Sequence, residues 1–198
     1  MSPAKAKPAP AKAKPAPAKA EAKAAALAKK AAPAAKTADK PQVKPIPDGY
    51  TSVTPYIMIE GASEAIEFYK KAFGAQELER MSGPDGKVLH AEIRIGNAIV
   101  MLSDASAQWK GPKALGGSPA SICLYVPDAD AVFKAAVDAG ATVRMPIQEQ
   151  FWGDRYGMLV DPFGHNWSVA THVEDVTKEE MQKRMEKAMA EWAKQGAC

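Results

Sequence analysis

The sequence predicts an α+β fold built from a tandem βαβββ repeat, and three observations predict it. From Tyr50 onward, short runs rich in β-branched residues alternate apolar and polar side chains, the period of a half-buried strand. Strand, helix and three further strands then occur twice in the same order. The two glycines that stop the helices, Gly74 and Gly140, stand 66 residues apart, an offset that also pairs Ile57 with Cys123, Ile66 with Val132 and Ala75 with Ala141. The two units are expected to pair their sheets into one curved mixed sheet, a half-barrel cup with helices outside. The repeats run over about 50–104 and 118–172 within a domain at 48–174, preceded by a basic tail at 1–47 and followed by a helix at 175–198.

The tail is almost entirely Ala, Lys and Pro, with Met1, Leu27, Val43 and Ile46 as its only bulky apolar residues. It cannot bury enough surface to offset its ordering entropy, which predicts disorder, with a marginal helix over Lys19–Ala32. Its eleven lysines against Glu21 and Asp39 give a net +9, leaving 15 basic and 21 acidic residues, a net −6, for the remainder. Such an arm either binds DNA or another polyanion weakly and without sequence preference, or serves as a linker.

In the first repeat, SVTPYIMIE reads as a strand and Ser63 as the cap of a helix over Glu64–Phe73, with Ile66, Tyr69 and Phe73 on one face. AQELERM leads through SGPDG to KVLHAEIRI, and Gly96-Asn97 turns the chain into AIVMLSD. In the second repeat, ASICLYV is a strand, Asp128 caps a helix ending at Gly140, and ATVRMPI, RYGMLVD and HNWSVAT are three strands. Beyond them, Thr177 with Glu180 matches a capping box and Val176 with Met181 a hydrophobic staple. Met181, Met185, Met189 and Trp192 recur at helical spacing, so this amphipathic helix is expected to bury one face.

The two-residue pleat assigns faces. In the first strand Pro55, Ile57 and Ile59 turn toward the helices and Thr54, Tyr56 and Met58 toward the cup. In the first strand of the second repeat Ile122, Leu124 and Val126 turn out and Ser121, Cys123 and Tyr125 in. In KVLHAEIRI, Leu89, Ala91, Ile93 and Ile95 face the helices and His90, Glu92 and Arg94 the cup.

With these elements in place, AIEFYKKAFGA, HAEIRIGNAIVMLSD and WGDRYGMLVDPFGHNWSVATH resemble the vicinal oxygen chelate superfamily, the glyoxalase, bleomycin-resistance and dioxygenase group, and most of all its PhnB-like branch. The resemblance implies a protein that binds a small molecule in its cup, as a homodimer whose partner helps complete the site. The family's metal ligands would fall near Thr54, Met101, Ser121 and Ser168. Hydroxyl and thioether groups there do not make the donor set a divalent ion needs, so neither a metal nor another cofactor is expected. Glyoxalase I chemistry, which needs a metal to stabilise an enediolate, is not expected either.

Two alternatives stand beside this reading: a metal-dependent lyase or dioxygenase using His90 and Glu92, and a polyanion-associated protein acting through its tail. His90 and Glu92, two residues apart, share one strand face. They are either solvated polar residues, continued by Arg94, or a histidine oriented by a carboxylate and able to act as a base. Tyr56, Met58, Met101, Ser121, Tyr125 and Ser168 are expected to line the ligand site. Trp152 either plugs the rim or stacks on a ligand, and Asp154 with Arg155 either grips a polar ligand group or forms a salt-bridged loop. His165 is expected to bond local backbone, and His172, at the strand's exit, to be solvated or to anchor the next segment.

No run of side chains approaches the roughly 20 apolar residues of a membrane span. The N-terminal stretch lacks the apolar core of a signal peptide, and Cys123 and Cys198 make neither a disulfide framework nor a zinc site. These features predict a cytoplasmic protein.

Overall fold

The structure, a computed structural model, describes residues 43–194. The disorder expected of the tail and the helix expected at Lys19–Ala32 fall outside the described residues. Among the described residues no helix is long and apolar enough to cross a membrane.

The first repeat comprises β1 (Tyr56–Ile59), α1 (Ala62–Phe73), β2 (Gln76–Ser82), β3 (Val88–Ile95) and β4 (Ala98–Asp104). A short helix, α2 (Pro112–Leu115), lies in the linker. The second repeat comprises β5 (Ser121–Tyr125), α3 (Ala129–Asp138), β6 (Thr142–Glu149), β7 (Asp154–Val160) and β8 (Asn166–His172), and α4 (Lys178–Lys194) follows. Hydrogen bonding divides the eight strands into two four-stranded mixed sheets of matching order, β1-β4-β3-β2 and β5-β8-β7-β6, with the first strand of each running parallel to the last.

Helix α1 buries Ile66, Tyr69 and Phe73, the stripe its spacing predicts, and ends on Gly74 in the left-handed conformation. It starts two residues earlier than predicted: Ala62, not Glu64, is its first residue, and Asp104 Oδ1 accepts from the N–H groups of Gly61 and Ala62 at 3.1 and 3.0 Å. The other oxygen of Asp104 accepts from Val88 N at 2.7 Å, so one carboxylate ties α1, β3 and β4 together. Ser63, freed from capping, accepts from Arg80. Asp128 caps α3 by accepting from Ala131 N at 3.0 Å, as predicted.

The core lies between the helices and one face of each sheet. Tyr69 and Phe73 of α1 reach across to Trp167 of β8, with ring centroids 5.3 and 4.6 Å apart, so the two repeats share one core. His165, expected to bond locally, also crosses the boundary: it is buried, and its Nε2 lies 3.1 Å from the Met58 carbonyl oxygen of β1.

Two further expectations are corrected. Leu89 is 61% exposed rather than helix-facing, because Met81 pairs with His90 and Ser82 with Val88, leaving Leu89 as the extra residue of a β-bulge. Helix α4 buries none of its residues. Its capping serine-type bond forms, Thr177 Oγ1 accepting from Glu180 N at 3.2 Å, but Met185, Met189 and Trp192 remain exposed. The helix is instead tied by Arg184, which donates to both oxygens of Glu174 at 2.7 and 2.8 Å and to Glu180 at 3.0 Å.

Candidate functional site

Strand alternation turns each sheet's second row of side chains away from the helices. On the first sheet this row brings together Tyr56, Met58, His90, Glu92 and Met101. The ladder sets Met101 opposite both Tyr56 and Glu92. Tyr56 Oη lies 3.4 Å from His90 Nδ1, and His90 Nε2 lies 3.3 Å from Glu92 Oε1. A carboxylate only accepts, so the contact to Glu92 requires the proton on Nε2, and in that neutral tautomer Nδ1 accepts from the Tyr56 hydroxyl. The Tyr50 hydroxyl is pushed up to about 12, first by the neighbouring Glu92 carboxylate and then by burial. A relay Tyr56–His90–Glu92 results. Beside it, Ser103 Oγ donates to the Met58 sulfur at 3.2 Å.

On the second sheet the corresponding row carries Ser121, Cys123, Tyr125, Asp154, Tyr156, Met158 and Ser168. Three hydroxyls form a chain: Tyr156 Oη lies 2.7 Å from Ser168 Oγ, which lies 3.4 Å from Ser121 Oγ. Ser168 is buried beneath this chain, whereas Tyr125 is 61% exposed and Tyr56 on the first sheet is 43% exposed. Tyr156 escaped the sequence reading, although extending the alternation two residues from Asp154 finds it.

Asp154 is 3% exposed, yet its carboxyl is held below the ordinary range. Burial pushes it up, and this is outweighed by hydrogen bonds from His172, Tyr125 and Trp152. Oδ1 faces His172 Nδ1 at 2.8 Å, while Oδ2 accepts from Tyr125 at 2.8 Å and from Trp152 Nε1 at 3.0 Å. The Tyr125 hydroxyl is pushed up to about 12, first by that bond and then by burial. Burial, and then the Asp154 charge, push the Cys123 thiol up, which keeps it protonated and poorly nucleophilic.

Asp154 and Arg155 therefore do not act as one clamp. Successive residues of β7 point to opposite faces, and Arg155 grips Asp130 of α3 through two bonds of 2.6 Å on the helix side. Trp152 is half-buried at the rim, edge-on to Phe151 and Tyr156, with its indole N–H spent on Asp154. His172 does anchor the next segment: its Nε2 lies 3.1 Å from Asp175 Oδ1, and its pKa is raised, first by Asp154 and then by Asp175.

At the positions where the resemblance implies metal ligands, Met101, Ser121 and Ser168 present a thioether and two hydroxyls, and Thr54 spends its hydroxyl on the Thr51 carbonyl. Among the described residues no group of three or more His, Cys, Asp or Glu side chains could hold a metal ion. This donor set does not fit a divalent cation.

Comparison with known proteins agrees with this architecture. An uncharacterized protein of Mycobacterium tuberculosis is 47% identical over 139 residues, covering 68% of this chain and 82% of its own. The crystal structure of TioX from Micromonospora is 25% identical, covering 62% of this chain and 99% of its own with a TM-score of 0.52. A PhnB protein from Bacillus cereus, 19% identical, shares the fold over 61% of this chain and 99% of its own with a TM-score of 0.50. The profile of the Glyoxalase/Bleomycin resistance protein/Dioxygenase superfamily matches residues 53–169. With its paired βαβββ halves and the matched span, the chain belongs to that superfamily.

Proposed function

We propose that the chain binds a small molecule on its concave sheet faces, without a divalent metal, and that a second copy of the chain completes the site. The observation that carries this reading is the pair of aromatic and hydroxyl-bearing faces the chain leaves uncovered. Tyr125 stands 61% exposed over the Ser121–Ser168–Tyr156 chain, and Tyr56 stands 43% exposed over the His90–Glu92 pair. Aromatic rings supply apolar contact area, and convergent hydroxyls supply orientation, the usual composition of a small-molecule site.

One geometry favours a second reading, in which the same face is catalytic. In the relay from Tyr56 through His90 to Glu92, an imidazole is held in one tautomer with a carboxylate behind it, an arrangement suited to general base catalysis. Thermal-shift screening of a small-molecule library, with and without a chelator, tests the binding reading. A ligand raises the melting temperature in proportion to RT ln(1 + [L]/Kd). Stabilising compounds are expected to persist in chelator and to lose affinity in Tyr56→Ala or Tyr125→Ala. Stabilisation that requires an added divalent ion sinks the metal-free reading. Turnover that His90→Ala abolishes while affinity survives promotes the catalytic one.

A further inference from the structure

The linker between the two halves carries positive charge that the rest of the described chain leaves unneutralised. Helix α2 leans on the β7–β8 turn so closely that a Cβ on Gly164 would sit 2.9 Å from the Cβ of Pro112. Beside this contact opens a cleft of about 460 Å³, lined in part by Lys113, Ser118, Arg144, Val160 and Asn166. Val160 and Asn166 alternate with buried Leu159 and Trp167, which places them on the concave side of β7 and β8. Arg144 reaches the cleft from a register shift in β6: Val143 pairs with Leu159 and Met145 with Met158, leaving Arg144 as the extra residue.

Three features give the cleft a sign. None of its lining residues is Asp or Glu. Neither Lys113 nor Arg144 makes an ion pair among the described residues; Arg144 is exposed, and the Lys113 ammonium lies 5.7 Å from the centroid of the Phe163 ring. Outside the basic tail the chain is net acidic, so two uncompensated cations at one cleft are a local reversal of its charge. A second cleft, of about 180 Å³, shares Pro112, Gly117 and Ser118 and adds the apolar Tyr56, Leu115 and Pro119. Its cation, Lys110, is also without an ion pair among the described residues.

We infer that this end of the second sheet binds a small organic anion, a carboxylate or phosphate ester with an apolar body. The planar guanidinium of Arg144 can take two anion oxygens at once, and Lys113 supplies a second, point-like charge. Val160 and the apolar neighbouring cleft receive the body. This inference rests on the reading of the concave faces as ligand surfaces and adds to it the charge class of the ligand.

The test is calorimetric titration of the full-length chain at low salt with phenyl phosphate, benzoate, benzyl alcohol and benzylamine. The anions are expected to bind at least about tenfold tighter than the alcohol, and benzylamine weakest. Arg144→Gln and Lys113→Gln should each weaken the anions by about tenfold, the usual size of one lost charge-assisted bond, and leave the alcohol unchanged. The ratio of phenyl phosphate to benzoate affinity then separates the two anion types. Equal affinity for anion and alcohol overturns the inference. So does anion binding that the double substitution leaves intact, or the absence of anion binding at millimolar concentration. Each of these outcomes leaves the broader reading standing if the alcohol, or a screened compound, still binds in a Tyr125-dependent way. Anion binding that depends on Arg144 but is indifferent to Tyr56 and Tyr125 sinks the broader reading alone.

Discussion

Asp161 offers the sharpest test of how the two halves are joined. It is 4% exposed, and its carboxylate accepts four hydrogen bonds from neutral donors. Oδ2 takes the Tyr69 hydroxyl at 2.7 Å and the Trp167 indole N–H at 3.0 Å, while Oδ1 takes the backbone N–H groups of Phe163 and His165 at 2.9 Å. Asp161→Asn preserves shape but turns one oxygen into an NH₂ group, which must then face two donors whichever way the amide is placed. At 1.5–3 kcal/mol for each bond to a charged acceptor, two spoiled bonds cost about 3 kcal/mol as a conservative figure. For a domain of this size that is a fall in Tm of roughly 10 °C.

Tyr69→Phe removes only one of these donors and keeps the ring against Phe73 and Trp167, so it should cost about 1.5 kcal/mol. Because both substitutions break the same bond, the double variant should be less destabilised than the sum, by about 1 kcal/mol. Urea denaturation followed by circular dichroism measures all three. An Asp161→Asn variant within about 0.5 kcal/mol of the parent, or strict additivity with Tyr69→Phe, would refute the assignment of Asp161 as the junction between the halves.

Two further outcomes concern the exit of β8. Gly153 has a positive φ of 94°, and a Cβ there would lie 2.1 Å from the Glu174 carbonyl oxygen, so Gly153→Ala should destabilise the protein by several kcal/mol or displace the segment leading to α4, read as faster hydrogen exchange at Val173 and Glu174. His172 has a raised pKa in the folded state, so its contribution to stability is fully present below its ordinary value near 6.5 and lost as pH rises through the raised value. The parent should therefore lose melting temperature relative to His172→Gln as pH rises from below 6.5 through the raised value, and identical profiles for the two proteins would contradict this.

Much of the fold was legible because its signals are local. Strand alternation, the Asp128 cap and the Gly74 stop each follow from a few neighbouring residues, and the structure places them as read. The repeat offset shows where locality ends. Gly74 and Gly140 stand 66 apart, but the cap positions Gly61 and Asp128 stand 67 apart, because Gly74 directly follows the twelve residues of α1 whereas Ala139 stands between the ten residues of α3 and Gly140. A single offset therefore set helix-facing Ile57 against concave Cys123, whereas the ladders match Tyr56, opposite Met101, with Cys123, opposite Ser168. The Leu89 bulge and the saturation of Asp154 were out of reach for a related reason. Each depends on partners brought in by tertiary structure: Met81 and Ser82 on another strand, and Tyr125 and His172 from two more. The His90–Glu92 pairing was readable because both members sit on one strand. Its Tyr56 partner comes from elsewhere in the chain and was not.

The strand order puts β2 and β6 at one border of each sheet, and both are built to refuse an extra strand. Strand β6 carries Pro146 in its middle, where no N–H exists to extend a ladder, and its register breaks on either side of Met145. Strand β2 presents Glu77, Glu79 and Arg80 within seven residues and is bent by its own irregularities. A chain with two sheets, each covered by helices on one face only, risks joining others edge to edge into fibrils. Here charge, bulges and one proline close those borders to such growth, and leave the sheet faces as the surfaces on which the molecule can meet other molecules.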